Sequence, residues 1–535
     1  MRYSLLIRGV TIIDGTGKPP FVSDVGVRGR YIVEVGPNLF EDARYILNAK
    51  GRVLMPGLTD THTHDDNALL KQGLVKPKLQ QGITSSVIGN CGFSPAPCGP
   101  ETAQLQELAD PVLGKGEPWN YPSMSAWMQA LRRLGLGQNI SVLVGLSAVR
   151  CAVMGFAKRP AREDELRSME TLVHEAMEAG AAGLSLGLIY APGAWTAKEE
   201  LIRLARVVGS YGGVLVPHMR NEADGFLDSI KEVLEIARAA RVALHISHLK
   251  LTGPNNWGRM GEALELIESS RANGMDVTVD VYPFDAAGAI PYSMLPPWAI
   301  EGGLNAALER LGTPEQYQAI CRDLRQGIPG WENILFSDKP ENLQIVHIPN
   351  PEIKFLEGKS IAEAASVWGK EIPETLCDLI LATKGEFTLV SHCLNPREVD
   401  MVISKPYAMI GSDGLPTDEA LDLKSPGKPH PRLYQTTTEA IRRGLAMGMP
   451  LEEIVRKMTS LPAWRFGMKD RGTIEVGKVA DFVLFNIRTL RSVATYLEPK
   501  QHPNGIIAVI VGGKPIVRNN VIQFQRAGEV VVPRR

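Results

Sequence analysis

The chain has 535 residues, 44% hydrophobic and 22% charged, with a formal net charge of -1 at pH 7. That length excludes one small domain and suits two domains, one of them large. A near-zero charge without long basic or acidic runs points away from nucleic acid and from a membrane surface as partners.

In chain order, residues 1–57 read as β-structure. Tyr3–Arg8, Val10–Ile13 and Ser23–Val27 are short apolar runs, punctuated by turns at Asp14-Gly15 and Gly17. Met1–Gly9 reads as an alternating strand without the apolar core of a signal peptide, and no apolar run is long enough to span a bilayer. The middle alternates strand-like and helix-like segments. Eight strand candidates stand out: Val53–Asp60, Thr84–Gly89, Ile140–Leu146, Ala182–Leu188, Val214–His218, Val242–His248, Asp276–Tyr282 and Ala408–Asp413. Amphipathic stretches such as Glu163–Ala179, Ala197–Tyr211, Gly225–Ala240 and Met260–Ala272 lie between them. This rhythm predicts an α/β fold, a (β/α)8 TIM barrel, with a doubly wound open sheet as the competing architecture. A Pro- and Trp-rich stretch at about 285–345 interrupts it and reads as an insertion after the seventh strand, placed to cover an active site. Asp481–Phe485, Ile506–Val511 and Ile516–Val521 are again strand-like. Residues 1–57 and 473–535 are therefore expected to meet as a small β-sandwich domain beside a barrel of residues 58–472.

Six scattered cysteines without CxxC spacing suit a reducing, cytoplasmic compartment. A homo-oligomer is compatible with this composition.

The polar residues at the strand ends carry the chemistry. His62 and His64 follow the first strand, Cys91 the second, His218 ends the fifth, His248 the sixth and Asp413 the eighth. All lie where a barrel builds its active site. Residues at i and i+2 on extended backbone point to one side, so His62 and His64 can reach one metal. Singly, each has a bland reading: a satisfied core histidine, a small buried thiol, a turn aspartate. Six metal-competent groups on five strand ends do not. The structural reading holds for His174, His347 and His502, whereas His392 and His245 stay open; His245 is three residues from His248 and is expected on the opposite face.

Asp60-Thr-His-Thr-His64 resembles the amidohydrolase superfamily. Members often bridge two metals with a lysine from strand four, which here reads Gly183-Leu-Ser-Leu-Gly187 without one. Gly82–Pro97, with Gly89-Asn-Cys-Gly92 at its centre, resembles the N-acyl-D-amino-acid deacylases (the D-aminoacylase family), in which a cysteine replaces that lysine. Ala182–Gly193, Pro217–Glu222, Ile246–Lys250, His430–Tyr434 and the tail from Gly472 resemble the same family, so the likeness spans nearly the whole chain.

The resemblance implies zinc held tightly by Cys91, His218 and His248. A second, weaker position would face His62, His64 and Asp413, with Cys91 shared. It implies hydrolysis of linear N-acyl amino acids, small-molecule substrates, with Asp413 as general base. Arg432 is the expected carboxylate anchor and Lys250 a second candidate; Tyr190 and Tyr282 are candidate pocket walls. Two departures bear on the substrate. The family's usual His-Gly pair after strand three is replaced by Gly145–Arg150, and its Ser/Thr residues after Tyr282-Pro283 by Phe284–Ile290. The alternatives are a cyclic amidohydrolase opening imide, hydantoin or dihydropyrimidine rings, which usually keeps the strand-four lysine, and a non-catalytic scaffold of the same fold, which would be expected to lose ligands.

Overall fold

The computed structural model describes residues 1–425, 427–523 and 525–534. Eight parallel strands form the central sheet: β1 Leu58–Asp60, β2 Ile83–Ile88, β3 Asn139–Gly145, β4 Gly183–Gly187, β5 Val214–His218, β6 Ala243–Ile246, β7 Val277–Val281 and β8 Ala408–Ile410. They neighbour one another in sequence order. The seam between β8 and β1 is closed just beyond the strands, by an isolated parallel bridge of Thr63 with Gly414. Asp413 N–H donates to the His62 carbonyl (2.7 Å) and His64 N–H to that of Gly414 (3.2 Å). The barrel therefore closes through the backbone of its candidate metal ligands.

Strands buried on both faces need apolar side chains on both. On β3, Ile140, Val142 and Val144 pack outward with helix residues such as Trp127 and Leu131. Leu143 belongs instead to an inner cluster with Val87, Val214, Val216, Phe466, Met468 and Val531. Phe466 and Met468 thus fill the barrel floor and leave the opposite, C-terminal rim for a site. The helices follow from local rules. Glu163–Ala179 buries Leu166, Met169, Val173, Ala176 and Met177 at helical spacing. It starts with the Glu165 carboxylate accepting the Arg162 N–H and stops at left-handed Gly180.

The first predicted strand is divided. Val53–Pro56 pairs antiparallel with Phe482–Phe485 and parallel with Leu5–Ile12, and only Leu58–Asp60 enters the barrel. Gly57 makes the joint: a Cβ there would lie 2.0 Å from Thr84 Oγ1. Both ends of the chain thereby contribute to a separate nine-stranded sheet. No helix among the described residues is long and apolar enough to cross a membrane.

The excursion between β7 and β8 runs well past residue 345. Ala287–Ala289, Leu343–His347 and Thr388–Ser391 form a three-stranded antiparallel sheet, with Gly303–Leu311, Pro314–Gln326, Ile361–Trp368 and Ile372–Thr383 as helices around it. Its later half repeats a strand–helix rhythm, so pattern alone does not separate it from the barrel. Its apolar core is continuous with Cys91, Phe93 and Tyr190 at the barrel mouth.

A polar latch fastens the excursion to the rim. Glu332 Oε2 accepts the backbone N–H of Glu222, beyond β5, at 2.5 Å. Burial, then the Glu222 charge, pushes the Glu332 carboxyl up to about 8. A raised folded-state value means that stability is fullest below the unfolded carboxyl value of roughly 4.3 and is lost as pH rises toward about 8. Glu332→Gln should flatten that dependence and melt above the parent at pH 9. A parent–variant difference in melting temperature that is the same at pH 5 and pH 9 would contradict it.

Candidate metal centre

Each barrel strand ends by delivering polar side chains into the mouth. Past β1, extended backbone turns His62 and His64 inward together. After β2 the chain reverses sharply, with φ of 80°, 53° and 77° at Gly89, Cys91 and Gly92. A left-handed non-glycine residue costs on the order of 1–3 kcal/mol and persists only where its surroundings hold it. Ser185 of β4 does so: it accepts the Gly92 N–H (3.0 Å) and donates to the Gly89 carbonyl (2.5 Å). The Asn90 amide adds bonds to the carbonyls of Val87 (2.8 Å) and Thr63 (3.3 Å). Strand β4, which lacks a lysine, thus clamps the cysteine turn. His248 and Asp413 are also left-handed, at φ 33° and 49°.

The expectation that His245 and His248 face opposite ways assumed continuous strand. β6 ends at Ile246, and the left-handed turn at His248 carries its ring back inward. Both residues then meet Asp280 of β7. His245 Nε2 lies 2.8 Å from Oδ2, and the His248 N–H donates to Oδ1 at 2.6 Å.

The six candidate ligands converge. Cys91 Sγ lies 3.2 Å from His62 Nε2, 3.6 Å from His218 Nδ1 and 3.6 Å from His248 Nε2. Asp413 Oδ1 lies 3.2 Å from His64 Nε2 and 3.7 Å from His62 Nε2. Two buried triads, His62–His64–Cys91 and Cys91–His218–His248, each hold their donor atoms within 4.8 Å of one another. Burial alone would raise the Cys91 thiol, but the His62 charge and the imidazoles of His218 and His248 outweigh it and hold the thiol well below its ordinary value.

The outward ring nitrogens meet carboxylates. Glu222 Oε1 is 3.1 Å from His248 Nδ1, and its Oε2 is 3.6 Å from His218 Nε2. Asp280 Oδ2 is 3.7 Å from His62 Nδ1. Lys250 pairs with Glu222, and burial is outweighed by Lys250 and then the two imidazoles, so Glu222 is held at about 2. Imidazoles presenting one nitrogen to a shared centre and the other to a carboxylate are the arrangement in which histidines bind metal. Thiolate with imidazole is a donor set suited to zinc. The residues fit such an ion.

Nine of the ten candidate site residues line one cleft of about 690 Å³, and only His62 sits beneath it. The Arg432 guanidinium stacks on Tyr282 at 4.9 Å. Its Nη1 is 2.9 Å from Asp413 Oδ2, yet Nη1 and Nε make no aligned hydrogen bond among the described residues. Tyr190 lies edge-on to His218 at 4.9 Å between ring centroids. Of the other histidines, His174 meets Tyr211 at the surface, and His347 Nδ1 is 3.0 Å from Glu419 Oε2. His392 packs on Tyr496, outside the cleft.

Four residues of the site carry no assigned role in the sequence reading, although Glu222 and His430 lie within its quoted motifs. Asp280 is a lone carboxylate in an apolar strand, and Glu222 stands four residues after His218; both patterns were visible. His430, whose Nδ1 accepts the Arg432 N–H (3.0 Å) and whose ring donates to the Ala286 carbonyl (2.9 Å), sets the start of the Arg432 helix. Glu332 arrives from the excursion, with no local signal.

Comparison with known proteins gives a consistent relationship. A family model described as the Amidohydrolase family matches residues 46–301 and 414–517. The D-aminoacylase of Alcaligenes xylosoxydans xylosoxydans is 33% identical over 99% of this chain and 97% of its own. The N-acyl-D-glutamate deacylase of the same organism is 33% identical over 96% and 93%. Among solved structures, the N-acyl-D-glutamate deacylase of Bordetella bronchiseptica, in complex with zinc and a phosphonate inhibitor mimicking the tetrahedral intermediate, superposes with a TM-score of 0.84. It is 30% identical and covers 99% of this chain and 100% of that one. The L-hydantoinase of Arthrobacter aurescens, 14% identical with a TM-score of 0.57 over 99% of this chain and 100% of its own, shares the fold alone. With a family model matching most of its length and relatives matched along their whole length, the chain belongs to the amidohydrolase family.

Proposed function

We propose that this protein is a zinc-dependent amidohydrolase that cleaves the amide bond of linear N-acyl amino acids, N-acyl-D-amino acids foremost. The observation that carries the reading is the Cys91 thiol set among three imidazoles, in a cleft that also holds a buried guanidinium, ion-paired to Asp413 through Nη1. Its relatives, a D-aminoacylase and an N-acyl-D-glutamate deacylase matched along their whole length, support it. We assign residues 1–57 and 473–535 to a small β domain and 58–472 to the hydrolase barrel. The six free cysteines suit a reducing, cytoplasmic setting.

Cys91, His218 and His248 would hold the tight zinc. His62, His64 and Asp413 would face a second, weaker position, with Cys91 shared. When bound, zinc polarises the scissile carbonyl and acidifies a water. Asp413 then serves as general base. Burial would raise its carboxyl, but Arg432 foremost, then His64, keeps it well below the usual range and therefore ionised. Such a weak base accepts a proton only from an acidified water, and it returns that proton to the departing nitrogen. Arg432, ion-paired to Asp413 through Nη1, offers Nε and Nη2, the side-on fork of the guanidinium, to the substrate carboxylate. Tyr282 supports that guanidinium from below. Lys250, already matched by Glu222, adds positive field, and Tyr190 forms the wall beside His218.

The reading is tested with enantiomeric N-acetyl amino acids and a hydantoin, at measured zinc content. Hydrolysis of the D-amides without ring opening is expected; faster hydantoin turnover would overturn it. Asp413→Asn should lower kcat about 10²–10⁴-fold, the range of general acid–base catalysis, while keeping tight zinc; near-normal turnover removes the proposed role. Arg432→Ala loses charge-assisted bonds of about 1.5–3 kcal/mol each. Its kcat/KM should fall steeply for N-acyl amino acids and little for a neutral amide, and equal losses would count against carboxylate binding.

A further inference from the structure

A second cavity, of about 350 Å³, adjoins the metal cleft. The two share Ile189, Tyr190 and Ser293 as lining residues, so they meet at these three side chains. Beyond that neck the walls are Trp195, Leu295, Ile300 and Trp331 with Tyr292, and no lining residue carries a charge. The main cleft differs sharply: Arg432, Lys250, Glu222 and Glu332 all face it. The annex is also firmly built. Tyr292, Leu295 and Ile300 are buried in the apolar core of the excursion, and the Tyr292 hydroxyl donates to the Leu108 carbonyl.

We infer that this annex is the acyl-chain subsite, and that the preferred substrates carry a medium-length alkyl or an aromatic acyl group rather than acetyl. The inference rests on the carboxylate orientation proposed above. The annex walls come from the loop after β4 and from the excursion, whereas Arg432 starts the helix that follows β8. In an eight-stranded barrel ordered β1 to β8, β4 and β8 stand opposite each other. An N-acyl amino acid has its carboxylate on one side of the scissile amide and its acyl carbons on the other. With the carboxylate at Arg432, the acyl chain crosses the ligands toward the β4 rim and enters the annex. The amino-acid side chain leaves Cα on the carboxylate side and does not reach it. An acetyl group would leave the annex to water that its walls barely hydrogen-bond. Each methylene moved into such a site is worth about fourfold in binding.

The test is the kcat/KM of the zinc-loaded enzyme on D-leucine bearing N-acetyl, N-butanoyl, N-hexanoyl and N-octanoyl groups. A parallel series keeps N-acetyl and lengthens the side chain from alanine to norleucine. A rise on the order of 100-fold from acetyl to hexanoyl is expected from four added methylenes, steeper than any rise along the side-chain series. Ala194 and Ile300 line the annex and not the cleft. Ala194→Phe and Ile300→Trp, which narrow it, should lose most of the hexanoyl gain and leave N-acetyl turnover within about twofold. Two different lining positions, Ala194 after β4 and Ile300 in the excursion, guard against one variant misfolding, and circular dichroism checks both. A flat or falling acyl series in an enzyme that hydrolyses the acetyl substrate overturns the subsite and leaves the proposed function standing. So does a steeper side-chain series, or equal loss on acetyl and hexanoyl substrates in both folded variants. Failure to hydrolyse any member at measured full zinc overturns the parent reading, and this one with it.

Discussion

Burying a thiol among imidazoles is unfavourable unless charge and hydrogen bonding compensate, and this compensation organises the structure around Cys91. Its sulfur approaches three ring nitrogens from three strand ends. Such a cluster requires β1, β2, β5 and β6 to end at one level, and the fold meets that requirement with backbone that only strong surroundings tolerate. Cys91, His248 and Asp413 all adopt left-handed conformations. Strain gathered at one place, and held by Ser185, Asn90 and Asp280, is the mark of side-chain directions fixed in advance of binding.

The same residues close the barrel. Asp413 and His64 supply the hydrogen bonds that join β8 to β1, and beneath them lies a buried ionic network. Lys78 Nζ pairs with Asp60 Oδ2 at 2.5 Å, while Ser412 N–H donates to Asp60 Oδ1 at 2.7 Å. A buried ion pair adds little net stability over an apolar substitute, yet breaking one costs several kcal/mol. Its value here is positional: it ties Asp60, two residues before His62, to Ser412, the residue before Asp413. Further out, Glu222 meets both His218 and His248 and is neutralised by Lys250, so one carboxylate orients two rings. Fold and site are therefore parts of a single hydrogen-bonded system.

Much of this was legible in the sequence, and the limits have physical causes. Strands such as β3, β5 and β7 show as apolar runs because both of their faces are buried. The candidate ligands show because imidazole and thiol gathered at the ends of several strands have few other uses. Gly89-Asn-Cys-Gly92 shows through its resemblance to the D-aminoacylase family, and the left-handed backbone at Gly89 and Gly92 accounts for its glycines. Five things stayed hidden. The break at Gly57 is invisible because strand propensity continues across it, and only contact with Thr84 reveals the joint. The extent of the excursion is masked by a strand–helix rhythm like the barrel's own. The direction of His248 depends on one φ angle, and side-chain alternation cannot report an angle that ends the strand. Glu332 and the annex belong to tertiary contacts across more than a hundred residues, which no local pattern encodes.

The central claim is that one thiolate and the surrounding imidazoles hold the catalytic zinc. X-ray absorption at the zinc edge of the purified enzyme tests it most directly. The account predicts one sulfur neighbour at about 2.3 Å with nitrogen and oxygen neighbours near 2.0–2.1 Å, and loss of the sulfur shell in Cys91→Ser. A shell of nitrogen and oxygen alone in the unmodified enzyme would contradict it.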